Sequence, residues 1–128
     1  MTSGYVLQKA DAFAVPQPEK RRTVYVWVDD QTTTAEHYAM WTCEMEPQST
    51  IAMAAHLNED ELMFVYRGSG EAVVDGVAYP IEAETTIYVP IGVEHELRNT
   101  AADEPLCFVW VHAPPGREKA LRAMAAGR

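Results

Sequence analysis

Cysteine is scarce in this chain: Cys43 and Cys107 are the two among 128 residues. That is too few for a disulfide framework at this length, and it fits a reducing compartment, so a cytoplasmic setting is expected. Long apolar runs are missing as well. No stretch approaches the roughly 18 residues that would span a bilayer, and the N-terminus has no basic segment leading into an apolar one, so neither a membrane span nor a secretory leader is expected. Basic residues are few, ten Lys and Arg against 19 Asp and Glu, for a net charge of −9. Nucleic-acid binding and docking on anionic membranes both need clustered cations, so neither is expected. There is no internal repeat and no low-complexity segment.

What is present is ordinary globular material, 48% hydrophobic and 23% charged, in an amount that suits one domain. Short β-branched and aromatic runs occupy residues 23–28, 37–45, 51–56, 61–66, 71–74, 77–79, 85–89, 94–98 and 106–112. Turn residues separate them every 8–12 positions or so, as in an all-β sandwich or barrel. Asp75-Gly76 between two such runs is a strong hairpin signal. Pro16 and Pro18 suggest an irregular arm over residues 1–20. A barrel domain follows over 21–115. Past Pro114-Pro115-Gly116 a tail over 116–128 reads as a short, weakly amphipathic helix.

Chemistry concentrates in four histidines, His37, His56, His95 and His112. His56, Glu61 and Gly68 are spaced H-x4-E-x6-G, and residues 90–99 read P-x-G-x2-H-x3-N, ending at Asn99. Both patterns resemble the two motifs of the cupin family, G-x5-H-x-H-x3-4-E-x6-G and G-x5-P-x-G-x2-H-x3-N. Three positions depart. Ala54 stands where the family's first histidine would be, and the leading glycines fall on Gln48 and Glu84.

The resemblance implies an all-β cupin jelly-roll barrel, with a short C-terminal helix here, and one divalent metal held by His56, Glu61 and His95. Ala54 would contribute no ligand. Two imidazoles and one carboxylate form the donor set that leaves open positions on Fe(II), which makes iron the favoured metal; Zn, Mn and Ni also accept it. The missing histidine leaves three readings open. The site is a three-ligand facial site, or another residue such as His112 replaces the lost ligand, or the metal is gone and the cavity kept.

Period-2 alternation on the last strand places Leu106, Phe108, Trp110 and His112 on one face. His112 is accordingly a candidate general acid/base, and Trp110 and Met63 are candidate walls of the substrate pocket. Ala54, Trp41 and His37 complete the pocket set, with His37 on the same face of its run as Trp41. If Glu61 points inward, Leu62, Phe64 and Tyr66 point outward. That row is too apolar for water, so a covering partner is expected, and a homodimer is what the family resemblance favours.

The function expected first is a non-haem Fe(II) dioxygenase acting on a small oxygen-chelating substrate, an enolisable carbonyl compound or a hydroxy acid. The alternatives are a non-redox metal-dependent lyase, isomerase or cyclase, and a ligand-binding cupin that has lost its metal.

Overall fold

The computed structural model describes residues 4–126; the first three residues of the expected arm and the last two of the tail lie outside them. Ten strands form two antiparallel sheets. In chain order they are β1 (Phe13–Gln17), β2 (Arg22–Val28), β3 (Ala39–Met45), β4 (Ser49–Ala54), β5 (Asp60–Arg67), β6 (Ser69–Val74), β7 (Val77–Glu82), β8 (Thr86–Val89), β9 (His95–Asn99) and β10 (Leu106–Ala113). One helix, α1 (Arg117–Ala126), ends the described chain. One sheet runs β1-β2-β3-β10-β5-β8 and the other β4-β9-β6-β7. The jelly-roll architecture expected from the motifs is what the chain adopts.

Alternation builds the core. On β3, Ala39, Trp41, Cys43 and Met45 are buried while the residues between them are half-buried. β5 sends Glu61, Met63 and Val65 inward and leaves Leu62, Phe64 and Tyr66 at 43–45% exposure on the outer face. The same rule holds on β10, where Phe108, Trp110 and His112 face in. Two apolar faces thus close on each other, and area burial of this kind is the main force holding such sandwiches together.

The expected arm is not wholly irregular. Residues 13–17 pair with β2 as an edge strand, Val15 and Gln17 are buried, and Pro16 is tolerated because an edge strand leaves one row of its amides unpaired. Asp75 and Gly76 form the two-residue hairpin between β6 and β7, both with positive φ, which fits a type I′ turn.

The helix docks through a buried ion pair. Asp29 is fully buried and accepts Arg122 Nε at 2.7 Å and Nη2 at 3.0 Å. Burial alone would raise the Asp29 carboxyl. The Arg122 fork and the amides of Gln31 and Thr32 outweigh it and hold the pKa below its ordinary value. The Arg122 guanidinium also lies 4.4 Å from the Phe13 ring centroid, so the edge strand and the helix brace each other.

Gln48 and Glu84, the two residues standing at the motifs' glycine positions, both adopt left-handed backbone, with φ of 55° and 70°. Both positions thus carry a side chain on a backbone shape that glycine adopts more freely. The strain for an L-residue is about 1 kcal/mol, and glycine recovers it less its own entropy cost. Gln48→Gly and Glu84→Gly are each expected to stabilise the fold by a few tenths to about 1 kcal/mol, read as a shift in the urea midpoint at constant slope. Destabilisation by either would mean that these side chains hold the turns.

Candidate metal centre

His56, Glu61 and His95 converge between the two sheets. Glu61 enters from β5, the second residue of that strand, and is 1% exposed. His95 opens β9 and pairs in register with Ala54 at the end of β4. His56 sits just past β4, in the loop leading to β5. Two contacts tie that loop to the Pro90–Gly92 turn: Gly92 N donates to His56 O at 2.8 Å, and Ile91 N donates to Asp60 Oδ1 at 3.1 Å. The proline-glycine turn of the second motif therefore clamps the histidine of the first.

The distances suit a shared ion. His56 Nε2 and His95 Nε2 stand 3.2 and 3.0 Å from Glu61 Oε2. Two ligands each about 2.1 Å from one ion and about 90° apart are about 3.0 Å from each other. One ligand atom from each residue can be chosen so that all lie within 4.8 Å of one another. Glu61 Oε2 is buried without an aligned hydrogen bond among the described residues. An orphaned buried carboxylate oxygen is costly, and a cation between it and the two imidazoles would satisfy it.

The remaining ring and carboxylate atoms are oriented for the same purpose. His95 Nδ1 lies 3.1 Å from the Val93 carbonyl, a contact that is a hydrogen bond only if Nδ1 carries the proton, leaving Nε2 its lone pair. Glu61 Oε1 accepts Trp110 Nε1 at 2.7 Å. Burial alone would raise the Glu61 carboxyl, but the closeness of His112 and His95 wins and holds it well below the usual carboxylate range. Burial, aided by Arg117 and His95, depresses His56. For His95, burial is outweighed by Glu61 and the Val93 carbonyl, and its pKa is raised.

A cavity of about 650 Å³ opens beside the cluster, within the ordinary range for small-molecule sites. His56, His95, Ala54, Trp41 and Trp110 all line it. Three sequence-based placements need correction. His37 is exposed and precedes β3, because the pairing of β3 with β10 ends at the Ala39–His112 rung and leaves residue 37 no neighbouring strand. Met63 does point inward, but it is 2% exposed in the core, paired across to Trp110 and Ile87, and is not part of the cavity wall.

His112 is fully buried behind the carboxylate, its Nε2 3.0 Å from Glu61 Oε1. The Trp41 and Trp110 rings lie 4.5 and 5.2 Å from it, centroid to centroid. It is absent from the cavity wall and touches Glu61 by the oxygen turned away from His56 and His95. That position sets it behind Glu61 and outside the cavity wall, not in it as a candidate acid/base would stand.

Four residues went unread in the sequence. Glu59 is nearly buried, 3.9 Å from His56 Nδ1 and 3.5 Å from Arg117 Nε. Gln17 and Arg22 face the cavity as a hydrogen-bonded pair. Arg22 carries a legible signal, since it continues the inward alternation of Val24 and Val26 by one more step. Glu59 and Arg117 carry none, because only the folded chain brings the helix to the loop after β4.

Comparison with known proteins agrees with this geometry. A family described as "Cupin domain" matches residues 41–112, more than half of the chain. A curated relative, "Polyketide synthase CurC" of Streptomyces cyaneus, is 30% identical over 60 residues; the match spans 47% of this chain and 39% of the relative's length. Among solved structures, a predicted oxalate decarboxylase of Thermotoga maritima superposes with a TM-score of 0.75 at 17% identity, covering 86% of this chain and 99% of that one. The polyketide cyclase RemF of Streptomyces resistomycificus superposes with a TM-score of 0.73 at 18% identity, covering 86% and 79%. An RmlC-like cupin of Shewanella frigidimarina gives 0.75 at 14% identity, covering 91% and 96%. At such identities the structural likenesses speak for the fold alone. The family match, running over both motifs and every residue of the cluster, makes this chain a member of the cupin family.

Proposed function

We propose that this protein is a metal-dependent enzyme acting on a small molecule that presents two oxygens to the site. The observation that carries this reading is Glu61 Oε2, buried and without an aligned hydrogen bond, facing two imidazole nitrogens at 3.0 and 3.2 Å. A divalent ion held by His56, Glu61 and His95 would supply Lewis-acid polarisation of a carbonyl or, if it is iron, oxygen chemistry. The chain's own residues do the rest. Trp110 Nε1 holds the Glu61 carboxylate from behind by a hydrogen bond, His112 Nε2 stands 3.0 Å from the same oxygen, and the Val93 carbonyl favours the His95 tautomer whose Nε2 keeps its lone pair. Trp41, Trp110 and Ala54 form an apolar wall that excludes water from the substrate.

Within that class, the first reading is non-redox: cyclisation or isomerisation of an enolisable carbonyl compound. What supports it is the curated relative, whose name places it in polyketide synthesis, a chemistry of 1,3-dicarbonyl chains that chelate metals through two oxygens. The second reading, an Fe(II) dioxygenase, is favoured by the two-histidine, one-carboxylate donor set itself.

Protein purified without chelators is expected to carry close to one divalent ion per chain by elemental mass spectrometry, and to turn over a 1,3-dicarbonyl substrate without oxygen. Iron together with obligatory oxygen uptake would move the assignment to the second reading. Failure to take up Fe, Zn, Mn or Ni on reconstitution would overturn both and leave a binding protein.

A further inference from the structure

The cavity's charge does not match the chain's. The protein carries a net charge of −9. Yet the charged side chains lining the cavity at the start of β2 are Lys20, Arg21 and Arg22 against Glu19, while Arg117 stands near the histidines and pairs with Glu59. Of these, Arg22 is placed in the least ordinary way. It stands on the inner face of β2, in the alternating row that continues through Val24 and Val26 into the core. Arginine is rarely turned toward a core unless something there takes its charge.

Its surroundings inside the protein compensate it only partly. Arg22 Nε donates to Gln17 Oε1 at 3.0 Å, and Gln17, its register partner on β1, is 1% exposed. A neutral amide oxygen therefore takes one donor and fixes the plane of the guanidinium. Burial lowers the Arg22 pKa, against the opposing pull of Cys43 and Glu19. The two terminal nitrogens belong to a half-buried cation on a cavity wall, a fork whose geometry matches a carboxylate.

The position along the barrel is as informative as the charge. Arg21 Nη1 donates to the Gln48 carbonyl, which puts the start of β2 beside the start of β4. The histidine cluster lies at the other end of β4, at the Ala54–His95 rung. Ser49 and Ala54 are five residues apart, about 17 Å at roughly 3.3 Å per residue. Both ends line the same cavity. Arg22, His56 and His95 line this one cavity, so one elongated molecule can touch the cluster and Arg22 together.

We infer that the cavity takes an elongated substrate whose end remote from the histidine cluster is a carboxylate, bound by the Gln17-braced Arg22. This rests on the reading that the cavity is a small-molecule site with its reacting end at His56, Glu61 and His95, and adds the class of the opposite end. A carboxylate suits better than a phosphate dianion because the single charge of the one half-buried guanidinium matches a monoanion, with Gln17 already on Nε.

The test uses 1,3-diketones carrying a terminal carboxylate on methylene spacers of graded length, each beside its methyl ester and a phosphate-ended analogue. Binding to the isolated protein is measured by calorimetry, with metal content determined on the same samples. At the best spacer length the acid should bind at least about tenfold more tightly than its ester. Arg22→Gln should erase that difference while leaving ester affinity and metal content unchanged, and Arg22→Lys should restore part of it. Equal binding of acid and ester, absence of binding by every acid, or a preference that survives in Arg22→Gln would overturn the inference, and a phosphate-ended analogue that outcompetes the acid would overturn the carboxylate assignment. Absence of metal alongside a retained, Arg22-dependent acid preference would strike the metal reading and spare this one.

Discussion

Glu61→Gln is expected to lower affinity for a divalent ion by more than about 100-fold while leaving the protein folded. Glutamine nearly matches glutamate in shape, and its amide oxygen can still accept Trp110 Nε1, which now sits 2.7 Å from Glu61 Oε1. The charge is lost, and the amide nitrogen falls where Oε2 faces His56 and His95. An amide N–H repels a cation that a carboxylate oxygen would bind. Disturbing a residue that merely orients a ligand commonly costs 10–100-fold in metal affinity, so loss of a charged ligand should exceed that range. Glu61→Ala is the poorer experiment, because it empties a buried site and strands the Trp110 N–H, whose desolvation alone costs about 1–3 kcal/mol.

Trp110→Phe supplies the internal comparison. It removes the hydrogen bond behind the carboxylate and keeps most of the ring, so its loss should fall within the 10–100-fold range. Competition titration against a chromophoric chelator reads both variants, with circular dichroism confirming the fold. A Glu61→Gln protein that binds metal as the parent does would remove Glu61 from the ligand set.

Much of this site was legible because the motif residues are the ones that set backbone shape. Pro90 and Gly92 form the turn that receives the His56 loop, and Asn99 donates its amide to the Met45, Glu46 and Glu104 carbonyls. Those roles depend on local geometry, which spacing encodes. Alternation on β5 and β10 was legible for the same reason: a period of two fixes which side chains share a face. It could not tell the cavity from the core on that face. Met63 and His112 point inward as their spacing implies, but one is paired between Trp110 and Ile87 and the other lies behind Glu61, so neither lines the cavity.

What stayed hidden depends on which segments meet across the fold. Arg117 sits after the last strand and Glu59 in the loop before β5, and the two approach within 3.5 Å only once the helix has docked through Arg122 and Asp29. No spacing rule links residues brought together that way. His37 failed for the opposite reason: its run has strand-like alternation, but β10 ends before it could supply a partner.

The largest stability effect is expected at Gly68, where β5 turns into β6. Its φ is 87°, and a Cβ there would lie 2.2 Å from the Pro105 carbonyl oxygen and 3.1 Å from Leu106 Cα. Both obstacles are backbone, so no rotamer change relieves them. Gly68→Ala therefore combines left-handed strain of about 1 kcal/mol or more with a forced shift of the segment entering β10. A total of about 3 kcal/mol, above 100-fold in the folded-to-unfolded ratio, is the expected cost.

Gly76 separates the two contributions. It has φ of 79° but nothing within 4 Å of the added carbon, so Gly76→Ala should cost the strain alone, about 1 kcal/mol. Urea unfolding of the two variants reads the difference directly, and equal costs would mean that the Pro105 segment yields freely. The shift should also reach the site. Leu106 begins the strand that carries Trp110 and His112, the two side chains behind Glu61, so Gly68→Ala is expected to weaken metal binding although it touches no ligand, and Gly76→Ala is not. A stability loss at Gly68 with metal affinity unchanged would show that β10 absorbs the displacement before it reaches Trp110.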